Sequence, residues 1–228
     1  MFKYWKEELM VLLISAMMGL TLTSSTEAAT SNMSEGSTGA PVVELQSSLN
    51  TVDNAHLSLD GDFGNLTKQI VEAFQASQGL TPDGIVGPLT HAALTKQLNT
   101  IQAAQAHQQK TNSLITTAES YIGVPYLWGG TTPAGFDCSG FMQYVFGKNG
   151  ITLDRVSADQ AKNGNTVSYS NIQPGDLMFW DLNGTGTVSH VTMYIGNGQM
   201  IGSESSGVRI ITIDSWWTSR LAVIRSQH

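Results

Sequence analysis

Charged residues are scarce in this 228-residue chain. Asp, Glu, Lys and Arg together make up 13% of it, about half the usual share near 25%. Eleven Lys and Arg against 18 Asp and Glu leave a formal net charge of −7. No basic cluster occurs, so nucleic-acid binding through phosphate neutralisation has no support. Aromatics are few, at 8%, but 41% of the residues are hydrophobic, so low charge here does not mean disorder. No apolar run is long enough for a membrane span, which needs about 20 residues. There is one cysteine, Cys138. A single thiol cannot staple its own chain, and with scattered histidines it has no metal-ligand spacing. Neither a metal nor another cofactor is expected.

The start of the chain reads as a targeting segment. Lys3 and Lys6 precede a short apolar stretch, Val11–Leu22, and Thr26-Glu27-Ala28-Ala29 offers small residues for cleavage. A signal peptide over residues 1–28 is the expectation, and with it secretion and no membrane association once it is removed. Residues 29–40 are rich in Ser, Thr and Gly, the composition of a flexible lead-in.

From 41 to 98 apolar residues recur at helical spacing: Val42, Leu45, Leu49 and Val52, then Leu66, Ile70, Val71 and Phe74, then Leu89, Ala92, Ala93 and Leu98. Pro41 and Pro88 suit first turns, and Gly79 suits a helix stop. A repeat sits within this unit. Asp60-Gly61-Asp62-Phe63-Gly64-Asn65-Leu66-Thr67 returns 23 residues later as Asp83-Gly84-Ile85-Val86-Gly87-Pro88-Leu89-Thr90, identical at five of eight positions. Asp-Gly makes a tight turn, the apolar residue two places on plugs the core, and the last glycine opens the next helix. Three helices joined by two matching loops are expected. Residues 99–112 then turn polar, with Gln102, Gln105, Gln108 and Gln109 among alanines, the pattern of a partly helical linker.

Residues 113–228 form a second unit. Leu114, Ile115, Ala118, Tyr121 and Ile122 make a helical stripe, and Phe141–Phe146 make another. Strand-like runs follow at Leu177–Trp180, His190–Ile195, Gln199–Ser203, Val208–Ile213 and Leu221–Arg225, with Gly196-Asn197-Gly198 as a hairpin turn. Helices followed by a meander predict an α+β fold with an antiparallel sheet. Cys138 stands where the second helix begins, and a helix N-terminus favours the nucleophilic thiolate. A buried cysteine acting as a small hydrophobe is the plain alternative. His190 opens a strand and is placed to act as general base and then acid. His56 and His91 lie in the first unit, His107 in the linker and His228 at the terminus, which leaves His190 as the candidate partner.

Two resemblances emerge from these motifs. Leu45-Gln46, the two Asp-Gly loops, Ala73-Phe74-Gln75 and Gly79-Leu80 resemble the three-helix peptidoglycan-binding domain of cell-wall hydrolases. Five ordered blocks resemble the NlpC-type cell-wall cysteine peptidases, a papain-like fold. These are Gly123–Gly130, Phe136-Asp137-Cys138-Ser139-Gly140-Phe141, Arg155–Gln160, Pro174–Phe179 and His190–Gly196. The resemblance implies hydrolysis of peptidoglycan stem peptides, typically after D-γ-glutamate, with peptidoglycan as partner and a secreted, wall-associated location. It puts Cys138 on the nucleophile, His190 on the base and Tyr126 on an oxyanion-site tyrosine. Asp137 and Ser139 fall on contacts to the stem's amino end. Trp128 suits a groove wall or the core equally. Arg155 and Ser157 suit the cleft or loop packing.

The family's third polar residue, twelve positions after the base, is replaced by Gly202. Strand alternation puts Glu204 on the face of Gly202 and Ser203 on the other, so Glu204 is the expected substitute. If the position is vacant, a histidine at 202 should raise activity. The vacancy also motivates a rival reading, a wall-binding protein without catalysis, and an amidase or acyltransferase on the same fold stays open.

Overall fold

A computed structural model describes residues 32–227. Its contacts divide the chain into two compact units, with the division between Gln102 and Ala103. The expected signal peptide, residues 1–28, lies outside the described residues. Among the described residues no helix is long and apolar enough to cross a membrane.

The first unit is helical: α1 (Ala40–Asp53), with Pro41 in its first turn, α2 (Asn65–Ser77) and the start of α3 (Pro88–Glu119). Val42, Leu45, Leu49, Val71, Phe74 and Leu94 form its core, which Phe63 and Val86, the apolar residues of the two repeat loops, enter at full burial. Each loop is held by one buried glutamine from a preceding helix. Gln46 donates to Asp60 Oδ1 at 2.8 Å and accepts from the Gly61 N–H at 3.1 Å. Gln75 does the same with Asp83 Oδ1 at 2.9 Å and the Gly84 N–H at 3.0 Å. The repeat is therefore a repeated hydrogen-bond clamp, in which a side-chain amide satisfies buried loop groups that have no strand partner.

One reading of the connecting segments is corrected and another is extended. Residues 32–39, part of the lead-in read as flexible at 29–40, are tied to both repeat loops: Met33 pairs with Val86 and Thr38 with Asp62 in isolated antiparallel bridges, and Met33 is buried in the core. Bridges to backbone groups that the loops leave open outweigh the low propensity of a Ser/Gly-rich stretch. Residues 99–112, expected to be a partly helical linker, are helical throughout within α3 and contain the division between the two units, as alanine and glutamine propensity favours.

The second unit contains the end of α3, a two-stranded ribbon of β1 (Thr131–Thr132) and β2 (Gly135–Phe136), and α4 (Cys138–Lys148). These are followed by α5 (Ser157–Gln160), β3 (Asn165–Val167), β4 (Leu177–Trp180), β5 (His190–Gly196), β6 (Gln199–Glu204), β7 (Gly207–Thr212), α6 (Ser215–Thr218) and β8 (Leu221–Ser226). The six strands form one antiparallel sheet in the order β3-β8-β4-β5-β6-β7. Asn197 and Gly198, both at positive φ, turn β5 into β6, as a two-residue hairpin loop demands. Phe141, Met142, Val145 and Phe146 of α4 pack with Leu177, Phe179, Val191, Met193 and Ile201 on one sheet face. Met178, Trp180, Met200, Ile211 and Ile224 cluster on the other, joined by Trp217. The architecture is α+β, with a small all-α N-terminal unit.

Candidate active site

Helix α4 starts at Cys138 because Asp137 caps it. The Asp137 carboxylate accepts from the Gly140 N–H at 2.7 Å. The same carboxylate takes both arms of Arg155, at 3.0 and 2.5 Å, and the Gly129 N–H at 3.0 Å. Burial would raise the Asp137 carboxyl, but Arg155 and the amides of Gly140 and Gly129 outweigh it and hold the group below the usual carboxylate range. Gly140 is required by space. A Cβ there would stand 2.1 Å from the Gly130 carbonyl oxygen, so the glycine loop ahead of the cysteine can lie directly on the first turn of the helix.

His190 opens β5 opposite Trp180. Its Nε2 lies 2.8 Å from Glu204 Oε1, and its ring is also hydrogen-bonded to Cys138, which leaves Nδ1 for the thiol. The histidine side chain is 8% exposed and the glutamate 20%. Burial by itself would lower the imidazole. The bonds to Cys138 and Glu204 overcome that and raise it to about 9. Trp217 lies against the ring, with centroids 6.0 Å apart.

The pairing register explains why Glu204 reaches the ring. Met193 pairs with Ile201 across the hairpin, and extending that register sets Thr192 opposite Gly202 and His190 opposite Glu204. Residue 202 is thus a diagonal neighbour of the histidine, and 204 is its direct cross-strand partner. A Cβ at 202 would stand 2.7 Å from Thr192 Cγ2 and 3.4 Å from Glu204 Oε1. The space is filled, so a histidine at 202 has no room to orient anything. Ser203 points away and donates to the Phe136 carbonyl at 2.8 Å.

A cavity of about 320 Å³ opens beside the cysteine, lined by Tyr126, Trp128, Asp137, Ser139, Arg155 and Val156 among others. Trp128 is 86% exposed, so it belongs to the cavity wall and not to the core. Burial, then the neighbouring Cys138 and Asp137, raise the Tyr126 hydroxyl above its ordinary value. Ser139 is buried, with its hydroxyl shared between Asp137 at 3.3 Å and Arg155 at 3.0 Å. Arg155 therefore does more than pack a loop, since it neutralises the helix cap from beside the cavity.

Sequence reasoning missed two supports. Gln160 is fully buried and donates to the Ser139 and Asp154 carbonyls at 3.0 and 2.7 Å. It follows Arg155 by five residues, and a glutamine inside a matched block was the available signal. Nothing in sequence indicated that Trp217 would reach His190. Among the described residues no group of three or more His, Cys, Asp and Glu is placed to hold a metal.

The profile of the NlpC/P60 family matches residues 123–226, which contain the whole of this arrangement. Residues 123–226 are an NlpC/P60 domain. A second profile, that of the peptidoglycan binding domain, matches residues 38–94. The chain is 48% identical over 97 residues to "Probable endopeptidase p60" of Listeria innocua, covering 42% of this chain and 20% of that protein. It is 38% identical over 129 residues to the gamma-D-glutamyl-L-lysine dipeptidyl-peptidase of Bacillus subtilis, covering 54% and 44%. The solved NlpC/p60 domain of peptidoglycan hydrolase SagA is 33% identical, with 51% of this chain and 97% of that chain covered and a TM-score of 0.45. The chain thus spans less than half the length of these two curated relatives.

Proposed function

We propose that this NlpC/P60 protein is a secreted peptidoglycan hydrolase that cuts stem peptides between D-γ-glutamate and the following diamino acid. The observation that carries the reading is the imidazole of His190, held between Glu204 at 2.8 Å and the thiol of Cys138 at a helix N-terminus. Glu204 fixes the ring and stabilises its protonated form, and Nδ1 takes the thiol proton. The sulfur attacks the γ-glutamyl carbonyl. The oxyanion is received by the Cys138 N–H, a first-turn amide with no acceptor in its own helix, together with the Tyr126 hydroxyl. His190 gives its proton to the leaving amine, and a thioester remains on Cys138. A water that passes its proton to His190 then releases the acid and restores the thiol.

The cavity lined by Asp137, Ser139 and Trp128 suits the amino-terminal side of the stem, since Asp137 and Ser139 fall on the family's contacts to that end. The first unit tethers the enzyme to its polymer, which raises the local concentration of cleavable bonds. The relative named gamma-D-glutamyl-L-lysine dipeptidyl-peptidase supports this bond as the target. Glu204 beside the histidine favours the enzymatic reading over the binding-only one that Gly202 motivates.

The test is digestion of purified cell walls with the isolated chain, followed by mass spectrometry of the fragments. Loss of the γ-glutamyl bond by the native chain and none by Cys138→Ala is the expected result. Release of whole stems from the sugar would replace the reading with an amidase.

A further inference from the structure

A second and larger cavity, of about 630 Å³, lies at the same end of the sheet as His190. It is lined by Asp181, Leu182, Asn183, Ser219, Arg220 and Leu221, with neighbouring residues of the same two loops. Its position follows from the pairing. Trp180 at the end of β4 faces His190 on one side and Leu221 on the other. Leu221 therefore lies two strand spacings from the histidine, about 10 Å, a span of about three extended residues, and Arg220 immediately precedes it. The loop wall joins the two cavities, since Ser189 lines the smaller one and its hydroxyl accepts from the Leu182 N–H at 3.0 Å.

Arg220 is built into this place. Its backbone is fixed in the wall, its carbonyl accepting from the Asp181 N–H at 2.9 Å. Its guanidinium lies 4.1 Å over the ring of Trp216, and Trp216 abuts Trp217, which abuts His190. Nη1 is spent on the Trp216 carbonyl at 2.9 Å and the Ser219 hydroxyl at 3.1 Å. Those are its hydrogen bonds among the described residues, so Nε and Nη2 keep donors to offer. Asp181 is the other charge in the wall. Its two oxygens are taken by the Thr185 and Gly186 amides at 3.2 and 2.7 Å, and it makes no ion pair with Arg220.

The geometry points to Arg220 as an anchor for a carboxylate on the leaving-group side of the scissile bond, one to three residues beyond it. This rests on the peptidase reading above. With the amino-terminal side of the stem in the Tyr126–Asp137 cavity, a leaving side that continues past His190 and Trp217 meets this wall. A planar guanidinium with two free donors matches a carboxylate, and stacking on Trp216 pre-organises it. The anion has two possible sources, the main-chain carboxylate of the diamino acid or the side-chain carboxylate that diaminopimelate has and lysine lacks.

The experiment compares L-Ala-γ-D-Glu-L-Lys as acid and as C-terminal amide, and the same amide with meso-diaminopimelate in place of lysine. The full chain should cleave one carboxylate-bearing peptide at least about tenfold better than the lysine amide, chiefly through KM. Whichever acid is preferred names the source. Arg220→Gln should bring that ratio close to one, and Arg220→Lys should retain part of it. The ratio does not depend on how much of a variant is folded. No preference in the native chain, or a preference that survives Arg220→Gln, overturns the inference. Failure to cut any of the peptides would instead count against the peptidase reading. Calorimetry on Cys138→Ala then decides the anchor, because tighter binding of the acid that Arg220→Gln abolishes supports it and equal binding of acid and amide overturns it.

Discussion

Glu204→Gln isolates the contribution of one charge while keeping the size of the side chain and a polar atom near His190 Nε2. The imidazole stands at about 9 against an ordinary 6.5. At 1.36 kcal/mol for each factor of ten, that difference favours the imidazolium by about 3 kcal/mol. Burial opposes it, so Cys138 and Glu204 together supply more than this. A carboxylate at hydrogen-bond distance from a buried cation accounts for a change of about 1–3 in pKa, so the glutamine variant should titrate between about 6 and 8. In the proposed mechanism the leaving amine needs the imidazolium, and the alkaline limb of kcat/KM therefore reports this group. With a fluorogenic γ-D-glutamyl peptide followed from pH 5 to 11, the native limb should fall near pH 9 and the variant limb at least one pH unit lower. Stability moves in the same sense. The folded pKa lies above the unfolded one, so the stabilisation is complete below about 6.5 and is lost as pH rises through about 9. The native protein should lose up to about 3 kcal/mol of urea stability across that window, and the variant clearly less. An alkaline limb that Glu204→Gln leaves in place would refute the claim that this carboxylate acts on His190.

Other substitutions test the frame around that pair. Gly202→Ala puts a methyl 2.7 Å from Thr192 Cγ2 and should cost about 1–3 kcal/mol in urea midpoint analysis, while Gly202→His should lower peptide cleavage, not raise it. Arg155→Met leaves the Asp137 carboxylate, 10% exposed, without its bidentate partner. Because Arg155 is itself 36% exposed, the expected loss is about 1–3 kcal/mol, with a larger fall in kcat/KM than stability alone explains. In the first unit, Gln75→Ala strips partners from Asp83, Gly84, Ile85 and Thr90. It should destabilise that unit by about 2–3 kcal/mol, read as a lower melting temperature of a fragment ending near Leu98 if that fragment folds alone, and otherwise of the whole chain.

How much of this was legible follows from the range of the interactions involved. The five long strands and α4 were readable because their apolar periodicity is local and the Asn197-Gly198 turn fixes one hairpin from two residues. Glu204 was readable for a related reason, since alternation along one strand selects its face, but alternation cannot say which residue is directly opposite the histidine. That needs the register, and the register makes Gly202 a position already filled by Thr192 instead of an empty one. The order of the lead-in is not legible, because it comes from the loops it pairs with and not from its own Ser/Gly-rich composition. Arg155, Gln160 and Trp217 act on residues 16 to 27 positions away, and no periodicity encodes such a contact. The same limit sets where the chemistry resides. The blocks of sequence around Cys138 and His190 position the thiol and the imidazole, whereas the charged partners of their surroundings, Glu204 on the imidazole and Arg155 on the helix cap, come from other elements and become visible only when the sheet and the helix are brought together.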